Sequence, residues 1–239
     1  MIKIENLTKS FGTLKAVNNL TLEIADGEIF ALLGLNGAGK STTIKILCSL
    51  LKKDGGKVSI NGLDLDKDEK AIKRLIGLSP QETAVAPNLT VEENLKFIAD
   101  LYDVTDKNAV TEMIEKFSLG AKSKVLAKRL SGGQKRRLSL AMAFIVNPKI
   151  LILDEPTLGL DIKVRRDLWR LIREFAKNST VILTTHYLEE AEALSNRIGI
   201  MKNGEIVALG TAKEITEKSG YSSFEDAFLT LAGSENDDE

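Results

Sequence analysis

One cysteine and one histidine stand in a chain of 239 residues, aromatic side chains make up only 5%, and no apolar run is long. The single thiol, Cys48, has no partner for an intramolecular disulfide, and its helical-looking setting makes it a small buried apolar residue in a reducing compartment. The longest apolar runs, such as residues 29–35, fall far short of the roughly 20 residues that a bilayer crossing needs. The first residues lack the charged-then-apolar order of a signal peptide, so the expectation is a cytoplasmic protein that reaches any membrane process through another polypeptide. An excess of one charge is missing too. The 33 Lys and Arg against 34 Asp and Glu leave a formal charge of -1, which excludes a global field that gathers nucleic acid or an anionic membrane surface. Any anion this chain binds must be held locally.

What is present is the balance of a soluble globular protein, 43% hydrophobic and 28% charged residues, at a length that suits one α/β domain carrying an insertion. Residues 2–7, 20–24 and 29–34 read as strands, broken by Gly12 and the Asp26-Gly27 turn, and residues 40–51 as a helix. A short strand at 57–60, a charged helix and a strand at 76–79 follow. From about 87 to 146 the strand signal gives way to helix: Thr90 and Glu93 form a capping box, and Val91, Leu95, Ile98, Leu101 and Tyr102 fall on one helix face, a stripe expected mostly to pack on its neighbours. Beyond Pro148 strands and helices alternate again, with a hairpin at 198–209 turning on Asn203-Gly204. The pattern predicts a core over about 1–86 and 147–215, largely a parallel sheet with helices on both faces plus an antiparallel β portion, a helical subdomain over 87–146, and a C-terminal extension over 216–239 ending in a solubilising, disordered acidic tail.

Three segments carry chemistry. Gly34-Leu35-Asn36-Gly37-Ala38-Gly39-Lys40-Ser41 is GxxxxGK(S/T), a phosphate-binding loop, set as it must be between a strand and a helix. Its amides, the first residues of the helix including Thr42, and the Lys40 ammonium can hold phosphates, while the Ser41 hydroxyl can ligate Mg²⁺. A plain glycine turn is the alternative. Ile150-Leu151-Ile152-Leu153-Asp154-Glu155 runs four apolar residues into two carboxylates, at the strand end where α/β sheets place ligands. Asp154 is expected in the metal shell and Glu155 as the base that polarises water, although an apolar strand capped by solvated charges would read the same in isolation. Leu130-Ser131-Gly132-Gly133-Gln134 opens a helix whose first amides make a second anion site.

With LSGGQ at 130–134 between a phosphate loop and an Asp-Glu strand end, the chain resembles the ABC ATPases over nearly its whole length. The resemblance implies a P-loop ATPase with an inserted helical subdomain, ATP and Mg²⁺ as ligands, and a signature segment that binds the γ-phosphate of ATP held by a partner subunit. It further implies that Phe11 stacks on adenine, with a core aromatic as the alternative; that Gln81 senses Mg²⁺ and the attacking water; that Gly159-Leu160-Asp161 crosses a dimer interface, with Leu158 where the family more often has Ser or Ala; and that His186 contacts the γ-phosphate. Lys122, Lys124, Lys128, Arg129, Lys135, Arg136 and Arg137 read as a solvated basic face.

The expected partners are a transmembrane permease subunit and a second ATPase copy or close relative, placing the chain on the cytoplasmic face of the membrane, with no role for nucleic acid. The segments 80–82, 94–97, 101–102 and 224–229 resemble the ATPase subunits of multidrug, antibiotic and sodium exporters. A DNA-repair or ribosome-associated ABC ATPase would carry a long coiled coil or a second ATPase domain, and a phosphotransferase would not need LSGGQ. Neither competing pattern is found in the sequence.

Overall fold

The computed structural model describes residues 1–233, so the acidic tail lies outside the described residues. Two sheets form the frame. The first is antiparallel, in the order β2-β1-β4-β5, from β1 (Ile2–Phe11), β2 (Leu14–Ile24), β4 (Gly55–Ile60) and β5 (Leu63–Asp64). The second is six-stranded, in the order β10-β9-β3-β8-β7-β6, from β3 (Ile29–Leu33), β6 (Ile76–Ser79), β7 (Ile150–Asp154), β8 (Thr180–Thr185), β9 (Arg197–Lys202) and β10 (Glu205–Gly210). Every pairing from β9 through β6 runs parallel, and only β10 turns back against β9.

β3, β7 and β8 are buried along their whole length, which is why they read as unbroken apolar runs without a period of two. Their side chains divide between two cores. Ile29, Ala31 and Leu33 point into a helical layer, whereas Phe30 and Leu32 meet α1 (Lys40–Leu47) and the inner face of the antiparallel sheet. Helices thus lie on both faces, but on the second face α1 is sandwiched between two sheets. β1 and β2 are longer than the sequence pattern suggests, and both run up to the break at Gly12. It sits at the tip of a hairpin whose register runs from Ile2 opposite Ile24 to Phe11 opposite Leu14.

The expected helical segment contains α3 (Val91–Leu101), α4 (Ala109–Lys116) and α5 (Gly132–Phe144), preceded in the chain by α2 (Glu69–Leu75) in the core. The Thr90–Glu93 capping box forms as expected. The α3 stripe is only half a packing face: Val91 and Leu95 are fully buried, but Leu101 is 62% exposed and Tyr102 38%. After β7 come α6 (Ile162–Phe175), α7 (Leu188–Leu194), α8 (Ala212–Ser219) and α9 (Phe224–Ala232), the last burying Phe224 and Phe228 against the helical-layer core.

Edge strand β6 ties the helical segment to the sheet through Gly77. A Cβ there would come within 2.4 Å of the Ala143 carbonyl oxygen on α5 and 2.7 Å of Pro148 Cγ, so α5 lies against bare backbone. Gly77→Ala is therefore expected to lower stability by roughly 1–3 kcal/mol through overpacking. A drop in the urea unfolding midpoint with unchanged slope checks it.

Candidate active site at the ends of four parallel strands

In the order β3-β8-β7-β6, four neighbouring strands end along one sheet edge. The phosphate loop leaves β3, His186 follows β8, Asp154 closes β7, and Gln81 stands two residues beyond β6. Chain order scatters these residues, and parallel pairing collects them.

The loop itself is braced from behind. Gly39 has φ 104, in the left-handed region, and a Cβ there would lie 2.2 Å from the Ala16 carbonyl oxygen on β2, so glycine is required for conformation and space alike. The Gly204 amide donates to the Ala38 carbonyl at 3.0 Å, and the Asn18 amide donates to the Gly204 carbonyl at 2.9 Å, which pins the loop to the turn between β9 and β10 and to β2. Asn36 and Gly37 are exposed at the mouth of the loop, Ala38 and Gly39 are buried, and Ser41 and Thr42 begin α1 half-buried.

Lys40 is buried, and its Nζ donates to the carbonyl oxygens of Gly34 at 2.7 Å and Leu35 at 3.0 Å. Burial pulls this ammonium below the usual lysine value, opposed by the carboxylates of Glu155 and Asp154. The charge is thus held in the loop by weak neutral acceptors, ready for a stronger anionic one.

Asp154 is the hub of the site. Its Oδ1 accepts from Ser41 Oγ at 3.1 Å and from Thr184 Oγ1 at 2.5 Å, joining α1, β7 and β8 at one oxygen. Thr184 lies opposite Asp154 in the parallel register, and its hydroxyl oxygen also receives the Glu155 amide at 3.0 Å. No group of three or more His, Cys, Asp or Glu side chains converges among the described residues. A hydroxyl beside one carboxylate is nevertheless the oxygen-only donor set that suits Mg²⁺, which completes its shell with water and substrate phosphate.

Glu155 is buried and has φ 52, a left-handed conformation that costs a non-glycine residue about 1–3 kcal/mol. Its carboxylate Oε2 approaches His186 Nδ1 to 2.8 Å without the alignment of a hydrogen bond, and the structure gives both atoms no other partner. A buried, underused carboxylate oxygen beside a partly exposed imidazole at the edge of the phosphate loop is suited to hold a water and take its proton.

The signature segment stands apart from this cluster. Ser131 caps α5, accepting from the Gln134 amide at 3.3 Å while Gln134 Oε1 accepts from the Ser131 amide at 3.0 Å. Two of the amides expected to face an anion are therefore satisfied within the capping box, and those of Gly132 and Gly133 are the first-turn donors left over. A cleft of about 130 Å³ there is lined by Ser131, Gly133, Gln134, Gly159, Leu160 and Asp161 among others, none of them from the phosphate loop. Asp161 caps α6 by accepting from the Val164 amide at 2.9 Å. Phe11 is 50% exposed, which removes the core-aromatic alternative, and the ammonium of Lys9 lies 5.5 Å from its ring centre.

Three residues escaped sequence reasoning. Arg136 does not belong to a solvated basic face: it is buried on α5, and all its hydrogen bonds go to backbone carbonyls around Asp154, Glu155 and Pro80. The signal was its place four residues before Leu140 and seven before Ala143, on the buried face of a helix. Thr184 had no signal, because strand register is invisible in sequence. Glu190, fully buried on α7, accepts from Trp169 Nε1 at 3.1 Å.

This site defines a P-loop nucleoside triphosphatase. The family model described as ABC transporter matches residues 17–158. Among curated proteins the chain is 38% identical over 224 residues to the linearmycin resistance ATP-binding protein LnrL of Bacillus subtilis, covering 92% of this chain and 72% of that one. Among solved structures it resembles an ATP-binding subunit of an ABC transporter, with TM-score 0.90 and 29% identity over 98% of this chain and 100% of that one. It also resembles a dimeric ATP-binding cassette in a post-hydrolysis state with ADP and Pi, with TM-score 0.82 and 28% identity over 88% and 98% of the two chains. The chain belongs to the ABC transporter ATP-binding family, and it is an ATPase.

Burial raises the Glu190 carboxyl above its ordinary value, while Thr185, Trp169 and Thr157 pull the other way and the Glu155 charge adds to the rise. The native state then binds this proton more tightly than the unfolded chain does. Its contribution to stability is complete below the unfolded value, about pH 4.3, and is lost as pH rises through the folded one. Glu190→Gln keeps an acceptor for Trp169 and is expected to flatten that decline, read as denaturation midpoints between about pH 4 and about pH 8.

Proposed function

We propose that the chain is the energy-supplying subunit of an exporter, hydrolysing ATP at two sites shared between two ATPase chains on the cytoplasmic face of a membrane subunit. The observation that carries this reading is the meeting of Ser41, Asp154, Thr184, Glu155 and His186 beside the Lys40 loop, while the 130–134 segment opens on a separate cleft that no residue of that loop lines. Among the described residues no helix is long and apolar enough to cross a membrane, which fits a separate membrane partner.

In this mechanism the loop amides and Lys40 hold the β- and γ-phosphates, and Phe11 stacks on the base. Ser41 and Asp154 would hold Mg²⁺, with Gln81 near its waters; when bound, the ion offsets phosphate charge. Glu155 takes a proton from water as the water oxygen forms its bond to the γ-phosphorus and the bond to the β-phosphate oxygen breaks, yielding ADP and phosphate. His186 orients the γ-phosphate. Ser131 and the Gly132 and Gly133 amides act on the ATP of the other chain, and Asp161 with its loop lies between the two. Loss of the γ-phosphate opens the dimer and moves the membrane subunit. The name of the LnrL relative, a resistance protein, favours expulsion of small antibiotic-type molecules.

Glu155→Gln preserves shape and removes the base. The variant is expected to bind ATP, turn it over at least about 100-fold more slowly and accumulate as a dimer. Size exclusion with and without ATP is the check, and a variant that stays monomeric at saturating ATP would sink the shared-site mechanism.

The membrane subunit is expected to dock a cytoplasmic helix in the groove of about 270 Å³ that opens beside Leu78, Pro80, Ala84, Ile98, Tyr102 and Met142. Exposed Phe97 and Leu101 lie close by on α3, and Leu50 also lines the groove. Cys48 lines the same groove, its thiol pushed up to about 12 by burial, so the test is made in a Cys48→Ala background. Cysteines placed at Phe97 or Tyr102 should crosslink to a copurifying membrane protein. Full activity in cells without such a partner would remove transport from the assignment.

A further inference from the structure

We propose that Arg136 is a positioning residue that couples the two shared ATP sites, by locking the signature helix to the backbone that carries Glu155 and Gln81. The inference rests on the shared-site reading above. In that arrangement each chain gives Glu155 and Gln81 to its own ATP and the 130–134 segment to the other, so a link within one chain between those two sets is a link between sites.

Arg136 is such a link. It lies two residues beyond Gln134 in α5 and is 4% exposed. Its Nε donates to the Pro156 carbonyl at 3.1 Å, and Nη2 donates to the carbonyls of Asp154 at 2.7 Å and Glu155 at 2.8 Å. Nη1 donates to the Pro80 carbonyl and, at 3.4 Å, to that of Gln81. A guanidinium has five N–H donors in a fixed plane, and here five main-chain carbonyls receive them. No carboxylate side chain is among these acceptors, so the group fixes backbone positions at the ends of β7 and β6 and does not serve as half of an ion pair.

Glu155 supplies the second element. Its left-handed backbone is held by the Thr184 hydroxyl at its amide and by Arg136 at its carbonyl. A shift of that strained peptide when Glu155 engages the water that attacks the γ-phosphate must move the guanidinium plane, and the plane is attached to the first turns of the signature helix. Lysine could keep the charge but not the fork, having three donors on a single nitrogen.

Kinetics of Arg136→Lys test the link first. The expected result is a kcat lowered roughly 10- to 100-fold, ATP affinity within about twofold, and a Hill coefficient for ATP that falls from above 1 to 1. A lowered kcat with the wild-type Hill coefficient kept, a kcat within about twofold of wild type, or a wild-type Hill coefficient of 1 overturns the proposal. Hydrogen exchange supplies a second measurement that does not depend on the variant folding. In a chain kept monomeric by Leu158→Arg, ATP bound at the chain's own Lys40 loop is expected to slow amide exchange over residues 133–138, although the signature does not touch that nucleotide. No slowing overturns the coupling, as does equal slowing when Arg136→Lys is added. The shared-site reading fails separately, by absence of an ATP-dependent Glu155→Gln dimer.

Discussion

A single carboxylate oxygen on Asp154 receives hydroxyls from two elements that the chain forms far apart, Ser41 at the start of α1 and Thr184 at the end of β8. Burial gives the interaction its force. A carboxylate taken from water must be satisfied or it destabilises the fold, and here satisfying it draws the phosphate loop, the β7 end and the β8 end into register. Glu155 inherits its position from the same arrangement, since its amide bonds to the Thr184 hydroxyl that already serves Asp154. Small changes in this shared bond therefore reach the Asp154 oxygen and the Glu155 backbone together.

Around that hub the protein keeps several charges buried, and each has a different remedy. Lys40 relies on loop carbonyls and on nearby acids. Arg136 directs its donors to main-chain oxygens. Glu190 finds a donor in Trp169 and is pushed toward its neutral form by burial. Of these, only Lys40 stands in the phosphate loop, where an incoming triphosphate would replace its carbonyl acceptors with stronger anionic ones. Nucleotide binding then completes a polar network that the fold has partly assembled.

Much of the ATP-binding half is legible in the order of residues alone. The phosphate loop and the Asp-Glu strand end are local: a glycine-rich turn entering a helix and an apolar run ending in acids need only their neighbours to be understood. Capping boxes at Thr90 and Ser131 are equally local. Arg136 is easily misread, because a basic run such as 135–137 resembles solvated surface until the helix phase shows which of its members faces inward. Leu101 and Tyr102 mislead the other way, apolar residues in phase with a core that ends before reaching them.

By itself, then, the sequence determined the class of chemistry and the nucleotide it uses, because those depend on short spacings and on side-chain types that lack substitutes. Only the tertiary structure decided which strand lies beside which. The β3-β8-β7-β6 order puts Thr184 opposite Asp154, brings His186 to Glu155, and leaves the signature helix joined to their backbone through Arg136. Parallel strands pair through connections tens of residues long, and no local pattern encodes the partner or the register at their far ends.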